Sequence, residues 1–277
     1  MLAGRRSDTR HIDQRRRRLD GAVNELNRKA DSEELNMDRF KGKDAGATDA
    51  SSQIGKATAT AFNEAGDKLQ IAEVIQRWGL WRDQGQWEKL ATTFHPEGTI
   101  EVSWFNGRFE DFIAASRKMR ATQRGSKHEI AASRIDVLGR RAVAETNVRI
   151  LGRHELHGVE CDSTAWGRFY DFLEKRDRWA ICRRVALYEK DRVDPVMPST
   201  PIPFDAARLA AMPKAYRFLG YSLALGGFPV STNLPIDEDV ALEALLRDGE
   251  AWLKGDKASG PSSTRQRDSQ SEGSGND

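Results

Sequence analysis

Cysteine is scarce in this 277-residue sequence, which contains only Cys161 and Cys182. Two thiols cannot staple a small disulfide-rich fold, and neither lies in a Cys-x-x-Cys pair or at zinc-ligand spacing from a histidine. We therefore expect a reduced, cytoplasmic setting and no metal site. No apolar run approaches the roughly 18 residues of a membrane-spanning helix, so we expect no membrane partner.

An excess of one charge is also lacking, because 44 Lys and Arg residues face 42 Asp and Glu residues. Dedicated nucleic-acid binders usually carry a concentrated basic excess, so we expect no nucleic-acid partner. Phosphate-binding loops and dinucleotide fingerprints are absent as well. The pair Gly226 and Gly227 precedes Pro229, which is typical of a turn. We expect no cofactor.

Aromatic side chains are nearly missing from residues 1–66, where only Phe40 and Phe62 occur. Residues 256–277 consist mainly of serine, glycine, glutamine and charged residues. Segments that bury so little apolar surface cannot offset the entropy lost on ordering. We predict a disordered or partly helical N-terminal tail over 1–66 and a disordered tail over 256–277.

The central sequence begins with helical periodicity. Apolar residues at three- and four-residue spacing predict a helix over 67–82, with Asp67 as its N-cap and Gly85 just beyond its end. These residues are Ile71, Val74, Ile75, Trp78 and Trp81. Two further helices are predicted over 87–94 and 109–120.

Alternation with a period of two follows. The pattern predicts a strand through Ile100, Val102 and Trp104 that ends at Asn106 and Gly107, and four longer strands after the third helix. The long strands are predicted over 128–138, 141–151, 163–175 and 179–189. Short turns between long strands indicate an antiparallel meander, and helices ahead of it indicate an α+β domain over 67–195.

A proline-rich connector then leads to further helical periodicity. We predict a C-terminal helical extension over 196–255, which packs onto the sheet domain or onto a partner subunit. Its last segment alone is too small for a core of its own.

The order of these elements resembles the SnoaL-like branch of the nuclear transport factor 2-like superfamily, over about residues 67–195. The resemblance implies a cone-shaped fold, in which a curved antiparallel sheet wraps around the N-terminal helices and leaves a ligand cavity at one end. It rests on the first helix into Trp81, Arg82 and Asp83, on Leu90 to Phe94, on Val102 and Trp104, on 126–130, on the Gly139 hairpin and on Trp179, Ala180 and Ile181.

The scytalone dehydratase and lindane dehydrochlorinase branch uses an Asp at the end of the first long helix and a His at the start of the strand after the third helix. The resemblance places Asp83 and His128 at these positions. This sequence departs from the scytalone dehydratase pattern, with Arg82 beside Asp83 and Trp104 on the first strand. His154 or His157 stands near the place of that family's second histidine.

The residues themselves leave alternatives open for this pair. A carboxylate at a helix C-terminus opposes the macrodipole by about 0.3–1 kcal/mol, so Asp83 is either a solvated turn residue, a partner of Arg82 or a functional group. His128 is either a core residue, a surface residue or a general base, since imidazole titrates near neutral pH.

Other polar and aromatic residues are candidates for the substrate site. In a cone fold some of Trp104, Trp166 and Tyr170 would line the cavity, although strand aromatics mostly form core. Arg149 interrupts an apolar strand and either points outward or binds an oxygen-rich group. His95 is predicted to lie in a surface turn.

The predicted function is that of a cofactor-independent lyase or isomerase that uses a His–Asp dyad on a small apolar or aromatic molecule. The alternative is a non-catalytic ligand-binding or scaffold protein of the same fold, such as a partner like the small subunit of a dioxygenase. We also expect a homo-oligomer, with Ile181, Val185 and Leu187 at the interface or in the core.

Overall fold

The computed structural model describes residues 53–122, 125–236 and 240–255. Most of the predicted tails, 1–66 and 256–277, lies outside these ranges; the described part, 53–66, is helical. The contacts divide the chain into two units between Ala61 and Phe62, and the sheet and the cavity both belong to the second. Within the described ranges, no helix has the length and apolarity needed to cross a bilayer.

Within the described residues, three helices precede or interrupt the start of the sheet: α1 (Gln53–Gln84), α2 (Trp87–Ala91) and α3 (Phe109–Thr122). The predicted apolar face of α1 is confirmed, because Ile71, Ile75 and Trp78 are buried. Gly85 follows α1 with a φ of 69°, as expected of a helix exit.

The prediction that Asp67 caps this helix is wrong, because α1 begins earlier. Asp67 lies inside α1, and its Oδ1 accepts hydrogen bonds from Lys175 Nζ at 2.6 Å and from Trp179 Nε1 at 2.8 Å. An isolated Asp before an apolar periodic run looks the same in sequence whether it caps a helix or anchors one.

Six strands form one sheet in the order β2-β1-β6-β5-β4-β3, which confirms the predicted α+β class. The strands are β1 (Phe94–Val102), β2 (Phe105–Arg108), β3 (Lys127–Leu138), β4 (Arg141–Leu156), β5 (Val159–Lys175) and β6 (Trp179–Pro195). Adjacent strands are antiparallel except β1 and β6, which pair in parallel, so the sheet is mixed. Alternation along the chain cannot specify the relative direction of strands so far apart in sequence.

The first hairpin differs from its prediction. Strand β1 ends at Val102, which pairs with Phe105, so Ser103 and Trp104 form the turn and Asn106 and Gly107 lie within β2. The predicted helix over 87–94 is also too long, because β1 already begins at Phe94. Pro96 is tolerated in β1 because the pairing with β6 is irregular there.

His95, predicted in a surface turn, is buried in β1 at 4% exposure. Its Nε2 lies 3.0 Å from the backbone oxygen of Glu174 in β5. The flanking Pro96 is typical of a turn, which explains the prediction. In the structure the histidine lies within the sheet and is covered.

Helices cover both faces of the sheet. Helices α1 to α3 and the main core lie on one face, called the inner face here. The helical extension continues with α4 (Ala206–Ala210), a 3-10 turn (Lys214–Tyr216), α5 (Arg217–Leu225) and α6 (Val240–Lys254). Helix α6 packs on the outer face, over a cluster that includes Phe172, Val185 and Leu187.

The three apolar residues of the predicted interface are therefore core residues within one chain. Val185 and Leu187 are 1% exposed beneath α6, and Ile181 belongs to the inner core. The chain covers this part of its own outer face.

Candidate active site

A cavity of about 610 Å³ lies between the inner face of the sheet and helices α1, α3 and α5. This volume falls in the range of small-molecule sites, which are mostly apolar with a few convergent polar groups. The aromatic part of its wall consists of Trp78, Trp104, Phe112, Phe169 and Tyr188.

Asp83 and His128 meet at the wall of this cavity. Asp83 Oδ2 accepts the backbone N–H of His128 at 2.7 Å, and Asp83 Oδ1 lies 2.6 Å from His128 Nδ1. Because a carboxylate can only accept, Nδ1 carries the proton and Nε2 is the free basic nitrogen. Nε2 makes no hydrogen bond to the residues that the structure describes, and His128 lines the cavity.

Close packing of α1 against β3 brings the two groups together. A Cβ atom on Gly79 would lie 2.7 Å from Ile130 Cγ1 and 3.8 Å from His128 Cβ, so only glycine permits this approach without displacement. One turn earlier, Gln76 Nε2 donates to the carbonyl oxygens of Ile130 and Ala131 at 3.3 and 3.2 Å. These carbonyls lie where the pairing of β3 with β4 is irregular, so Gln76 ties the helix to the strand beside His128.

Burial lowers the pKa of His128 below its ordinary value, and the hydrogen bond and charge of Asp83 oppose that shift. The positive charges of Arg82 and Arg184 lower this pKa further. The imidazole is therefore neutral at pH 7, which is the form that accepts a proton. Trp78 fixes the ring from one side, with its edge-on ring centroid 5.3 Å from that of His128.

A fully buried ion pair lies on the inner face close to the dyad. Arg184 Nε and Nη2 donate to the two carboxylate oxygens of Asp171 at 2.6 and 2.7 Å. The Arg184 guanidinium carbon lies 4.4 Å from the Trp78 ring centroid and 4.2 Å from that of Phe169. Both rings also line the cavity, so the pair supports its wall.

Of the four predicted substrate-binding residues, Trp104 lines the cavity. The other three lie on the outer face. Arg149 forms an exposed ion pair with Glu129 at 2.5 Å, and the Trp166 ring lies under Lys190 Nζ at 5.2 Å. Tyr170 packs in the cluster beneath α6.

These three predictions were wrong for one physical reason. Alternation shows that Trp166 and Tyr170 share a face, but it cannot tell which face, because helices cover both sides of β5. Arg149 pairs directly with Trp166 across the ladder and shares its orientation.

The two candidates for the second histidine of the family pattern lie in different surroundings. His154 lines the cavity, its Nε2 is 3.2 Å from Ser222 Oγ, and burial lowers its pKa. His157 is in the turn after β4 with a φ of 50°, and its Nε2 lies 2.6 Å from the hydroxyl of Tyr221.

Sequence reasoning missed two polar groups in the cavity wall. Tyr188 donates to Ser103 Oγ at 3.1 Å, and its parity with the buried Ala186 would have placed it on the inner face. Asp191 accepts the backbone N–H of Leu219 at 2.7 Å, at the start of α5, and burial raises its pKa to about 6. Asp191 follows charged residues in sequence, so no pattern there singles it out.

One group of side chains in the described ranges has the composition of a metal site. Donor atoms of His95, Glu174 and Cys182 lie within 4.8 Å of one another. Burial raises the pKa of the Cys182 thiol to about 12, which disfavours the thiolate that binds metals, and Glu174 Oε2 is paired with Arg176 at 2.8 Å. The cluster is accounted for by its own hydrogen bonds and ion pairs.

A bulged mixed sheet, with helices on its inner face and an aromatic-lined cavity beneath them, defines an α+β fold with a pocket of small-molecule size. The chain belongs to the SnoaL-like family. The family model described as a SnoaL-like domain matches residues 63–185.

Two fungal relatives from Fusarium vanettenii are similar over much of their length. One, a PEP2-like protein, is 30% identical over 204 residues, which cover 69% of this chain and 87% of the relative. The other, pea pathogenicity protein 2, is 32% identical over 160 residues, which cover 56% of this chain and 68% of the relative.

Solved structures with a similar fold include a putative scytalone dehydratase from Novosphingobium aromaticivorans, with 19% identity and a TM-score of 0.43. That match covers 53% of this chain and 98% of the other. LinA is similar with 15% identity and a TM-score of 0.42, covering 52% of this chain and 99% of LinA.

Proposed function

We propose that this chain is a cofactor-independent lyase or isomerase that removes a proton from a carbon of a small, mostly apolar or aromatic molecule. The observation that supports this best is the arrangement of Asp83 and His128. Both carboxylate oxygens hold the histidine, while the opposite ring nitrogen stays unpaired among the described residues, at a cavity wall.

In the proposed step, His128 Nε2 takes the proton from carbon. The electron pair of the broken C–H bond forms a new double bond as a leaving group departs, or the proton returns at another atom of the substrate. Asp83 keeps the tautomer fixed and stabilises the imidazolium that forms. The aromatic wall, including Trp104, Phe112 and Phe169, would hold the apolar body of the substrate.

The test begins with turnover of a panel of hydroxylated and halogenated aromatic and alicyclic compounds by the full chain. For a compound that reacts, we expect His128→Ala to lower kcat by about 10²- to 10⁴-fold, the usual contribution of a general base. Asp83→Asn should cause a comparable loss. The double variant should lose little more than either, because both residues act in one step.

His154→Ala is the matched control, since His154 also lines the cavity but lies against Ser222. It should change kcat far less than His128→Ala. Wild-type turnover by His128→Ala would contradict the dyad, and binding without any turnover would favour the non-catalytic alternative.

Setting and assembly remain proposals of the same kind. Cys161 and Cys182 are both free thiols, which supports a reduced, cytoplasmic setting. A homo-oligomer would use a surface other than the part of the outer face under α6. Sedimentation of the full chain at micromolar concentration tests the assembly.

A further inference from the structure

Arg82 is a buried cation in the cavity wall, in the last turn of α1 and directly before Asp83. Arg82 is only 6% exposed, and it lines the cavity together with His128. Its guanidinium carbon lies 5.7 Å from the ring centroids of both Trp87 and Phe112. Aromatic rings thus surround part of the guanidinium.

Arg82 forms no ion pair within 4 Å among the described residues, in contrast to the other two buried arginines, although the charge of Asp83 attracts it at longer range. Arg183 pairs with Glu101 at 2.8 Å and Arg184 pairs with Asp171 at 2.6 Å. Its sequence neighbour Asp83 commits both oxygens to His128. No carboxylate of the described residues lies within 4 Å of the Arg82 guanidinium, and no hydrogen bond to it is present there.

Burial lowers the pKa of Arg82 to about 10, and the charge of Arg120 acts in the same direction while Asp83 opposes it. The side chain therefore remains charged at pH 7. A buried charge without a hydrogen-bonded ion partner is costly, and such groups normally make a close pair with an opposite charge. An opposite charge that pairs closely with Arg82 would therefore lie in the cavity.

We propose that Arg82 binds a carboxylate group of the ligand, so that the substrate is an aromatic or alicyclic acid. This proposal deepens the proposed function. It rests on that function only where the ligand is called a substrate, because binding of a carboxylate needs no catalysis. The planar guanidinium matches a carboxylate through two parallel hydrogen bonds. The aromatic wall would hold the ring, with a carbon of that ring near His128 Nε2.

The position of other charges agrees with this assignment. The cavity-lining residues Arg153 and Arg192 are already paired with Asp162 and Asp194, at 2.6 and 2.7 Å. Arg120 also lines the cavity, but it is exposed and donates to the backbone oxygen of Asp83 at 2.5 Å. Arg82 is therefore buried and charged, and its guanidinium donors have no hydrogen-bond partner within the described part of the chain.

The test uses calorimetric titration of the full chain with 2-naphthoate and with 2-naphthamide, which differ in charge but share a ring system. We expect the acid to bind at least about tenfold more tightly, as one charge-assisted pair would give. Arg82→Met should remove that preference, and Arg82→Lys should keep part of it. Arg153→Gln is the control and should preserve the preference, because Arg153 is half exposed and paired.

A second measurement separates ligand binding from a structural role. Replacing an unpaired buried charge by an apolar side chain of similar length should leave the ligand-free Tm unchanged or raise it. A large fall in Tm for Arg82→Met, or equal binding of the two probes by the wild-type chain, would overturn the proposal.

His128→Ala distinguishes this proposal from the proposed function. The variant should bind 2-naphthoate with the wild-type preference although it loses turnover. Loss of turnover without any dependence of binding on Arg82 would leave the dyad intact and reject the acid. If His128→Ala turned the substrate over at the wild-type rate while the preference for 2-naphthoate still depended on Arg82, the dyad would be rejected and the carboxylate site kept.

Discussion

Asp83 holds His128 at two points, accepting its backbone N–H at 2.7 Å and meeting its Nδ1 at 2.6 Å. The first contact fixes the start of β3 relative to the end of α1, and the second fixes the tautomer and the ring. Because one carboxylate makes both contacts, the geometry of the base depends on the packing of a helix against a strand.

Turnover should depend on pH through His128. Its pKa is lowered mainly by burial, so we expect the acid limb of the kcat/KM profile to have a midpoint below the ordinary value of about 6.5. Asp83 opposes that shift, so Asp83→Asn should move the limb to still lower pH while it reduces the maximal rate. An acid limb above pH 6.5 in the wild-type chain would argue against His128 as the base.

Folding stability should also depend on pH through His128. Its pKa in the folded state lies below that in the unfolded state, so the unfolded chain takes up the proton first as pH falls. The contribution of neutral His128 to the free energy of unfolding is fully present above about pH 6.5. It is lost as the pH falls toward the pKa of His128 in the folded state.

Urea unfolding at pH 7.5, 6.5 and 5.5, compared between wild type and His128→Gln, isolates this contribution. The difference in unfolding free energy between the two chains should shift in favour of the variant as pH falls. Taking a difference cancels Asp191, whose raised pKa gives the opposite slope. A difference that stays constant with pH would contradict burial of a neutral histidine.

The close approach at Gly79 should control activity through the dyad. Gly79→Ala places a methyl group 2.7 Å from Ile130 Cγ1, so α1 or the strand next to His128 must shift. We expect at least about a tenfold loss of kcat with the fold retained, since small misplacements of catalytic groups are costly. The double variant with Ile130→Ala should recover part of the loss.

Gly66→Ala is the matched control on the same helix, because nothing lies within 4 Å of the added Cβ. It should leave kcat unchanged and raise stability by about 1 kcal/mol or less, the helix propensity gain. Equal activity of the Gly66 and Gly79 variants would show that the close approach does not position the dyad.

Helix α6 should stabilise the sheet through Trp252. This residue is 6% exposed, and its Nε1 donates to the backbone oxygens of Ala142 and Leu173 at 3.2 Å each. Trp252→Ala should lower the unfolding free energy by about 3–5 kcal/mol. Leu246→Ala on the same helix, where Leu246 is 39% exposed, should cost about 1 kcal/mol or less. Similar costs for both would mean that α6 is only loosely attached.

Trimming the ends tests the domain boundaries. A chain of residues 64–256 should melt within about 5 °C of the full chain, since residues 59–65 of α1 are exposed and bury little apolar surface. Thermal denaturation of both chains checks this. A larger fall would show that the removed segments pack against the rest.

Local patterns predicted the long elements well. Apolar spacing indicated the buried face of α1 from Ile71 to Trp78, and Gly139 marked the β3–β4 turn with its φ of 61°. Their signals are local, since 3.6-residue and two-residue periods follow from the geometry of single elements. The errors at Asp67, Pro96 and Asn106 concern boundaries, where one local signal suits two structures.

The sequence by itself determined the order of the long helices and strands, the buried periodicity and, through a family resemblance, the pair Asp83 and His128. Only the tertiary structure decided which face each strand residue occupies. An uncovered outer face would carry polar residues and could be recognised by them, but α6 buries part of this face under apolar contacts. This is why Tyr170 lies under a helix while Phe169 lines the cavity. It also decided that Arg82 is buried without a carboxylate among the described residues, because pairing depends on distances between elements that no periodicity encodes.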